Sequence, residues 1–206
     1  MKTCRTAKPI DTRPKAPFIP YEMNSRPIHI LLTLFLLFPG LTLVAQEPQE
    51  AILAFSKKVA AVECDFTQTK ESSLLAGTAV STGHMSYRRP SYLEWHYLTP
   101  TPFSFVFDGE QPGQNRMMKE MARLITGSIE GSALTDEKLF RIQFDEADGS
   151  IVATLFPKKR EMQKMWSRLV LYYDKASLNA TRFELHETSG DLTTITFSKI
   201  HYDFSE

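Results

Sequence analysis

The side chains able to ligate a metal or attack a bond are few beyond the first forty-five residues: His84, His96, His186, His201 and Cys64. No two of these histidines stand at the i, i+4 spacing that lets one helix face present a ligand pair. His84 and His96 could approach each other on neighbouring strands, and histidines on a sheet surface explain the pattern more simply. Cys64 has no second cysteine after residue 45 to pair with, since Cys4 lies near the start of the chain. It reads as a small apolar side chain buried on a strand, not as a nucleophile. Acidic residues are plentiful, but they fall at turns and on polar strand positions, where solvated charge accounts for them. There is no G-x-S-x-G, no Gly-rich phosphate loop, no H-E-x-x-H and no C-x-x-C. Asn179-Ala180-Thr181 matches a glycosylation sequon, a motif too common to carry weight alone. The pattern argues against an enzyme and gives no reason to expect a metal or a cofactor.

The chemistry that remains is apolar. Phe66, Tyr87, Tyr92, Leu93, Trp95, Tyr97, Phe103, Phe105 and Phe107 crowd one part of the chain, and Met117, Met118, Met121, Leu124 and Ile125 follow at helical spacing. Such side chains either fill a core or line a cavity for an apolar ligand, where flexible Met and Phe adapt to varied shapes. Packing is the simpler of the two readings, and both remain open at this stage.

The elements that must position these residues follow from periodicity. Residues 49–61 read as a short helix, with Ile52, Phe55, Ser56 and Val59 on one stripe. At Val62, Cys64 and Phe66 the period changes to two, the mark of a half-buried strand. Further strands are expected over 83–89, 92–98, 103–107, 139–145, 151–156, 168–173, 181–187 and 193–202. Turn pairs such as Asp108-Gly109 and Asp148-Gly149 punctuate them. Residues 116–129 interrupt the series as one or two short helices. The fold class is therefore mainly β within α+β: an antiparallel meander forming a barrel or an incomplete, strongly curved barrel, with a few helices set against one face.

The leading segment is a separate matter. Ile28 to Phe38 is an apolar run with a basic flank, followed by Pro39-Gly40, Ala45 and an abrupt polar start at Gln46. That is the form of a signal peptide, and the run is broken before the length a membrane span needs. Cleavage is expected near Ala45-Gln46, give or take a residue or two. Translation is expected to start at Met23, with 1–22 an over-extended start. Gln46 is not a lipid-accepting cysteine, so the product is expected to be soluble, exported and not lipid-anchored. The organisation expected is thus a leader over 1–45 and a single domain over 46–206. The whole chain balances 24 basic against 24 acidic side chains. Six basic and two acidic ones lie in the leader, leaving 18 against 22 and a net charge of about −4. No basic excess exists to attract nucleic acid.

The run Gly83-His84-Met85-Ser86-Tyr87-Arg88-Arg89-Pro90-Ser91-Tyr92-Leu93-Glu94-Trp95-His96-Tyr97-Leu98-Thr99-Pro100, preceded by Phe66-Thr67-Gln68 and followed by Asp108-Gly109, resembles the periplasmic outer-membrane lipoprotein carrier family (LolA-like). Leu155-Phe156-Pro157-Lys158 and Ser189-Gly190-Asp191 add to the likeness, which spans about residues 49–202. The resemblance implies an incomplete barrel lidded by helices over an apolar cavity for acyl chains. It implies that Arg89 hydrogen-bonds lid carbonyls and latches the closed state. Phe66, Tyr87, Leu93, Trp95, Tyr97 and Phe105 become candidates for the cavity wall, with Leu93 where carriers often have an aromatic. Met117, Met118, Met121, Leu124 and Ile125 become the apolar face of the lid. The implied partners are an acylated lipoprotein, an inner-membrane exporter and an outer-membrane acceptor, served by a monomer. A carrier of a glycolipid or pigment-lipid, and a lipid-sensing interaction module of the same fold, are the alternatives. Two departures stand out: residues 110–114 read as a turn where an aromatic strand is usual, and the chain stops soon after the 193–202 strand.

Overall fold

The computed structural model describes residues 47–74, 77–108 and 116–205. The leader expected over 1–45 and the turn expected over 110–114 lie outside the described residues. Helix α1 (Pro48–Lys58) opens on a proline, which has no backbone N–H to leave unpaired in the first turn. Glu50 near its start and Lys57 and Lys58 near its end complement the helix dipole. The helix stops three residues short of the expected 61. From Val59 onward the backbone is extended: Val59 pairs with Phe204, and Ala61 with both Arg88 and Asp203. Ladder bonds on two sides outcompete one more helical turn at a β-branched residue.

Among the described residues nine strands follow: β1 (Val59–Glu71), β2 (Thr78–Arg88), β3 (Tyr92–Thr99), β4 (Phe103–Phe107), β5 (Phe140–Ala147), β6 (Ser150–Pro157), β7 (Trp166–Asp174), β8 (Ala180–Glu187) and β9 (Leu192–Phe204). All pair antiparallel in one sheet of order β4-β3-β2-β1-β9-β8-β7-β6-β5. β4 and β5 are its two edges, so of the expected barrel and half-barrel the open form is the one adopted. Helix α2 (Arg116–Glu130) and a 3-10 turn (Ser132–Leu134) carry the chain from one edge to the other. A four-residue helix α3 (Arg160–Gln163), too short for a periodic signal, joins β6 to β7.

Alternation in β9 is broken once. Between Asp65↔Ser198 and Glu63↔His201, β1 contributes only Cys64 while β9 contributes Lys199 and Ile200. Lys199 takes the left-handed conformation at φ 50°. This bulge resets the period, so Ile195 and Phe197 before it and Ile200 and Tyr202 after it all reach the same apolar face.

Two hydroxyls show how strongly the sheet curls. Tyr87 on β2 donates to Glu130 Oε1 at 2.7 Å, and Tyr173 on β7 donates to the Ser128 carbonyl at 3.4 Å. In a flat sheet β2 and β7 would be four strand spacings, about 19 Å, apart. Both nonetheless reach the last turn of one helix. The face they share is concave, and α2 lies over it.

Candidate functional site

Register places the concave face in rows. Cys64, Met85, Trp95 and Phe105 stand opposite one another across β1–β4, as do Val62, Tyr87, Leu93 and Phe107. A third row runs Phe66, Gly83, Tyr97 and Phe103. Gly83 is there for space, because a Cβ would collide with the Phe66 ring and the His96 carbonyl. Phe66 therefore lies over Gly83 and stacks on Trp95 with centroids 4.1 Å apart. Across the other half, Ile195, Phe183, Leu171 and Ala153 form the corresponding row on β9–β6.

Helix α2 closes over these rows with Ala122, Ile125 and Ser128, all buried. Its end is set by Gly131, whose φ of 79° suits the residue after a helix C-terminus. The same glycine lets α1 pack close, since a Cβ would come within 2.8 Å of Leu53 Cδ2. Gln49 Nε2 on α1 donates to the Leu134 carbonyl at 3.1 Å, and Phe55 meets Tyr202 edge-on at 5.2 Å. Arg89 fastens the far end of α1: its Nε donates to the Val59 carbonyl at 2.9 Å and its Nη2 to the Ser56 carbonyl at 2.8 Å. One planar fork thus serves the terminal carbonyl region of α1 and the first residue of β1.

Under α2 lies a small apolar cavity of about 30 Å³, roughly one water molecule's share of liquid volume. Val62, Cys64, Met85, Ile125, Ile129, Leu171, Phe183, Phe197, Ile200 and Tyr202 line it. Burial, with the Asp65 charge adding, pushes the Cys64 thiol up to about 12. Burial likewise pushes the Tyr202 phenol up to about 12. Tyr87 is raised further by burial, then by the hydrogen bond and charge of Glu130. None of these three groups ionises near neutrality; the charges beside them are those of Glu130 and of Arg182, which also borders the cavity. On the other flank of α2 a larger cleft of about 420 Å³ is lined by Leu124, Leu139, Phe140 and Met162 together with Glu120, Arg123 and Lys159.

Of the residues singled out in the sequence, Phe66, Tyr87, Leu93, Trp95 and Phe105 are buried together on the concave face. Tyr97, Met118 and Met121 are half-buried against the same core. Leu93 is fully buried between Tyr87 and Phe107. Ile125 borders the small cavity and Leu124 the cleft on the other flank. The side chain of Met117 lies outside the described residues. Arg89 meets carbonyls of α1 and β1. Sequence reasoning missed the β7–β9 half of the wall, Leu171, Phe183, Phe197, Ile200 and Tyr202. The period-two pattern of β7 and β8 was the signal that could have found Leu171 and Phe183; on β9 the bulge at Lys199 breaks that period before Ile200 and Tyr202.

The histidines belong to the outer face. His84 shares a hydrogen bond with Asp65 at 3.2 Å, His96 with Ser104 at 2.7 Å, and His186 with Glu184 at 3.1 Å. Among the described residues no group of three or more His, Cys, Asp or Glu side chains could hold a metal.

The site is thus a small apolar space beneath a helix, on the concave face of an open antiparallel sheet. The family model described as outer membrane lipoprotein carrier protein LolA matches residues 57–205. The chain belongs to the LolA family. LolA-like proteins bind lipid or lipoprotein and are binding and carrier proteins, not enzymes. A LolA superfamily protein from Nitrosomonas europaea is similar in fold, at 9% identity and a TM-score of 0.40, over 77% of this chain and 94% of that one. The Pseudomonas aeruginosa MucA/MucB complex matches at 12% identity and a TM-score of 0.44, over 77% of this chain and 57% of that one. LprF from Mycobacterium bovis matches at 13% identity and a TM-score of 0.37, over 74% and 92%. Comparison with curated proteins finds no significant match. Among the described residues no helix is long and apolar enough to cross a membrane.

Proposed function

We propose that this LolA-family protein is a soluble periplasmic carrier that takes up the acyl chains of lipoproteins between α2 and the concave face and ferries them from the inner to the outer membrane. The observation that carries this reading is how α2 is held. Its underside is apolar, and among the described residues its polar ties to the sheet are the Tyr87–Glu130 and Tyr173–Ser128 hydrogen bonds near its C-terminal end. The cavity of about 30 Å³ is too small for an acyl chain, so uptake requires α2 to lift and the apolar rows to accept methylenes in its place.

Each buried methylene contributes about 0.8 kcal/mol, so an unrestrained cavity would hold cargo too tightly to hand on. The Arg89 bonds to Ser56 and Val59 offset this. They favour the closed arrangement of α1, on which α2 and its 3-10 turn pack, and closing expels cargo. No covalent chemistry is needed; the acceptor supplies the more apolar site. Export by a leader cleaved near Ala45-Gln46 would deliver a single-domain product to the compartment where such cargo is sorted.

Native mass spectrometry of the protein purified from its own periplasm tests the reading. A co-purifying acylated protein is the expected result. A free lipid would replace lipoprotein by another amphiphile as cargo, and an empty protein that also fails to take up a synthetic diacylated lipopeptide would overturn the carrier role.

A further inference from the structure

Exposed large apolar side chains gather at one end of the sheet. Leu74, at the tip of the β1–β2 hairpin, is 91% exposed; Val80 on β2, Leu98 near the end of β3 and Phe103 at the start of β4 are each about half exposed. Antiparallel pairing brings all four to the same end, because β1 and β3 finish there while β2 and β4 begin. The β1–β2 ladder extends to Glu71↔Thr78, whereas β3 joins β2 only at Thr82↔Thr99. The hairpin therefore overhangs β3 by about 13 Å, and the four residues descend as a stepped edge from hairpin tip to sheet edge.

The same end is poor in charge, although Glu71 is exposed at the base of the hairpin. Residues 72–87 contain no Asp, Glu, Lys or Arg, and neither do residues 95–107, in a chain that is 23% charged. Exposed strand ends are ordinarily guarded by such charges. Here the same strand ends and turns carry Ser72, Ser73, Thr82, Thr99, Pro100 and Thr101, small or uncharged residues. The nearest cation, Lys70, is held by Glu187 at 3.0 Å and Asp191 at 3.9 Å.

We propose that this edge inserts shallowly into the surface of a lipid bilayer, by apolar contact and without reliance on anionic headgroups. A bilayer suits it better than a protein surface does. Val80 projects on the outer face, Phe103 on the inner face beside Tyr97, and Leu74 from the tip, so no flat or concave partner surface covers all three. Fluid lipid needs no such complementarity, and small uncharged polar groups lose little at headgroup depth. Tilting the sheet brings the stepped edge parallel to the bilayer. The surface is distinct from the concave face, and the inference does not depend on what that face carries.

Flotation of the purified, cargo-free protein with phosphatidylcholine vesicles tests it. The protein should float with the vesicles, to the same extent at low and high salt, and gain nothing when phosphatidylglycerol is added. Leu74→Ser combined with Leu98→Ser should lower the partition coefficient at least about tenfold, equivalent to 1.4 kcal/mol, with an unchanged Tm. Phe204→Ser, at the opposite end of the sheet, should bind as the parent does. As a second measure, Leu74→Trp should show a blue-shifted emission on vesicle addition. Failure of the parent to float, equal flotation of the double variant, or flotation that falls with salt would each overturn the proposal. Because no cargo is present, such a failure leaves the carrier reading untouched.

Discussion

Lys199, held at φ 50° in the bulge of β9, places its ammonium 2.8 Å from Asp65 on β1, and through that one residue both halves of β9 face the apolar side of the sheet. Asp65 is held below the usual carboxylate range, first by its hydrogen bond from Lys199 and then by that from His84. The ion pair is solvated and contributes little; the backbone geometry matters more. A β-branched residue is poorly tolerated at positive φ, whereas glycine is at home there. Lys199→Val should lower Tm by a few degrees and Lys199→Gly should leave it level or raise it, as read by thermal unfolding. Equal Tm values for the two would show that the bulge can relax.

Gly83 is the second position where backbone and packing meet. A methyl group there must displace both the Phe66 ring and the β3 backbone at His96. Gly83→Ala should cost about 1–3 kcal/mol, the range for overpacking a core, measured by urea unfolding. It should also disturb the Phe66–Trp95 stack and so shift the intrinsic tryptophan emission.

The Tyr87 hydroxyl bonds a carboxylate at the end of α2. Tyr87→Phe keeps the ring and removes that tie, at a cost of about 1.5 kcal/mol for a hydrogen bond to a charged group. Amides of α2 should then exchange with deuterium faster, while those of β1 and β9 keep their protection. Uniform acceleration across the sheet would mean that α2 does not open by itself.

Cys64 reports on the same opening. Its thiol lies under α2 with its ionisation pushed up to about 12 from an ordinary 9.0. The parent should resist alkylation at pH 8, and Arg89→Leu should speed it several-fold by loosening α1; Arg89→Lys should fall between. Linkage gives a further consequence. The folded thiol keeps its proton where the unfolded one loses it, so its contribution is full below pH 9.0 and is lost as pH rises toward 12. Between pH 9 and 10 the Cys64 share of the unfolding free energy should decline by at most about 1.4 kcal/mol, with the raised Tyr87 and Tyr202 phenols adding to the fall, and Cys64→Ala should remove that share alone.

The strands of the meander were legible because Val62, Cys64 and Phe66, or Leu169, Leu171 and Tyr173, alternate as half-buried strands must. The neighbours of β1 were not. Its pairing with β9 joins residues far apart in the chain, and nothing local encodes it. Lys199 gave no warning either, since a lysine at positive φ looks like any surface lysine. The candidate wall was read from its aromatic half because Trp95 and Phe66 stand out by type. Leu171 and Ile200 are equally close to the cavity, but aliphatic residues carry no label beyond their period. Arg89 was found through its place before Pro90 in a familiar block; that its acceptors belong to α1 and β1 needed coordinates.

The adjacency of β1 and β9 has a bearing on how the protein comes to exist. β1 and β9 meet in the middle of the sheet, so this ladder cannot form until β9 has been made. Until then β1–β4 present an unpaired edge at β1, and the half-built sheet has an apolar face that its later strands have yet to cover. Contacts of such long sequence separation form slowly and leave intermediates prone to aggregate. A chain that must remain open until its last strand arrives is also one that can be threaded through a pore before it folds.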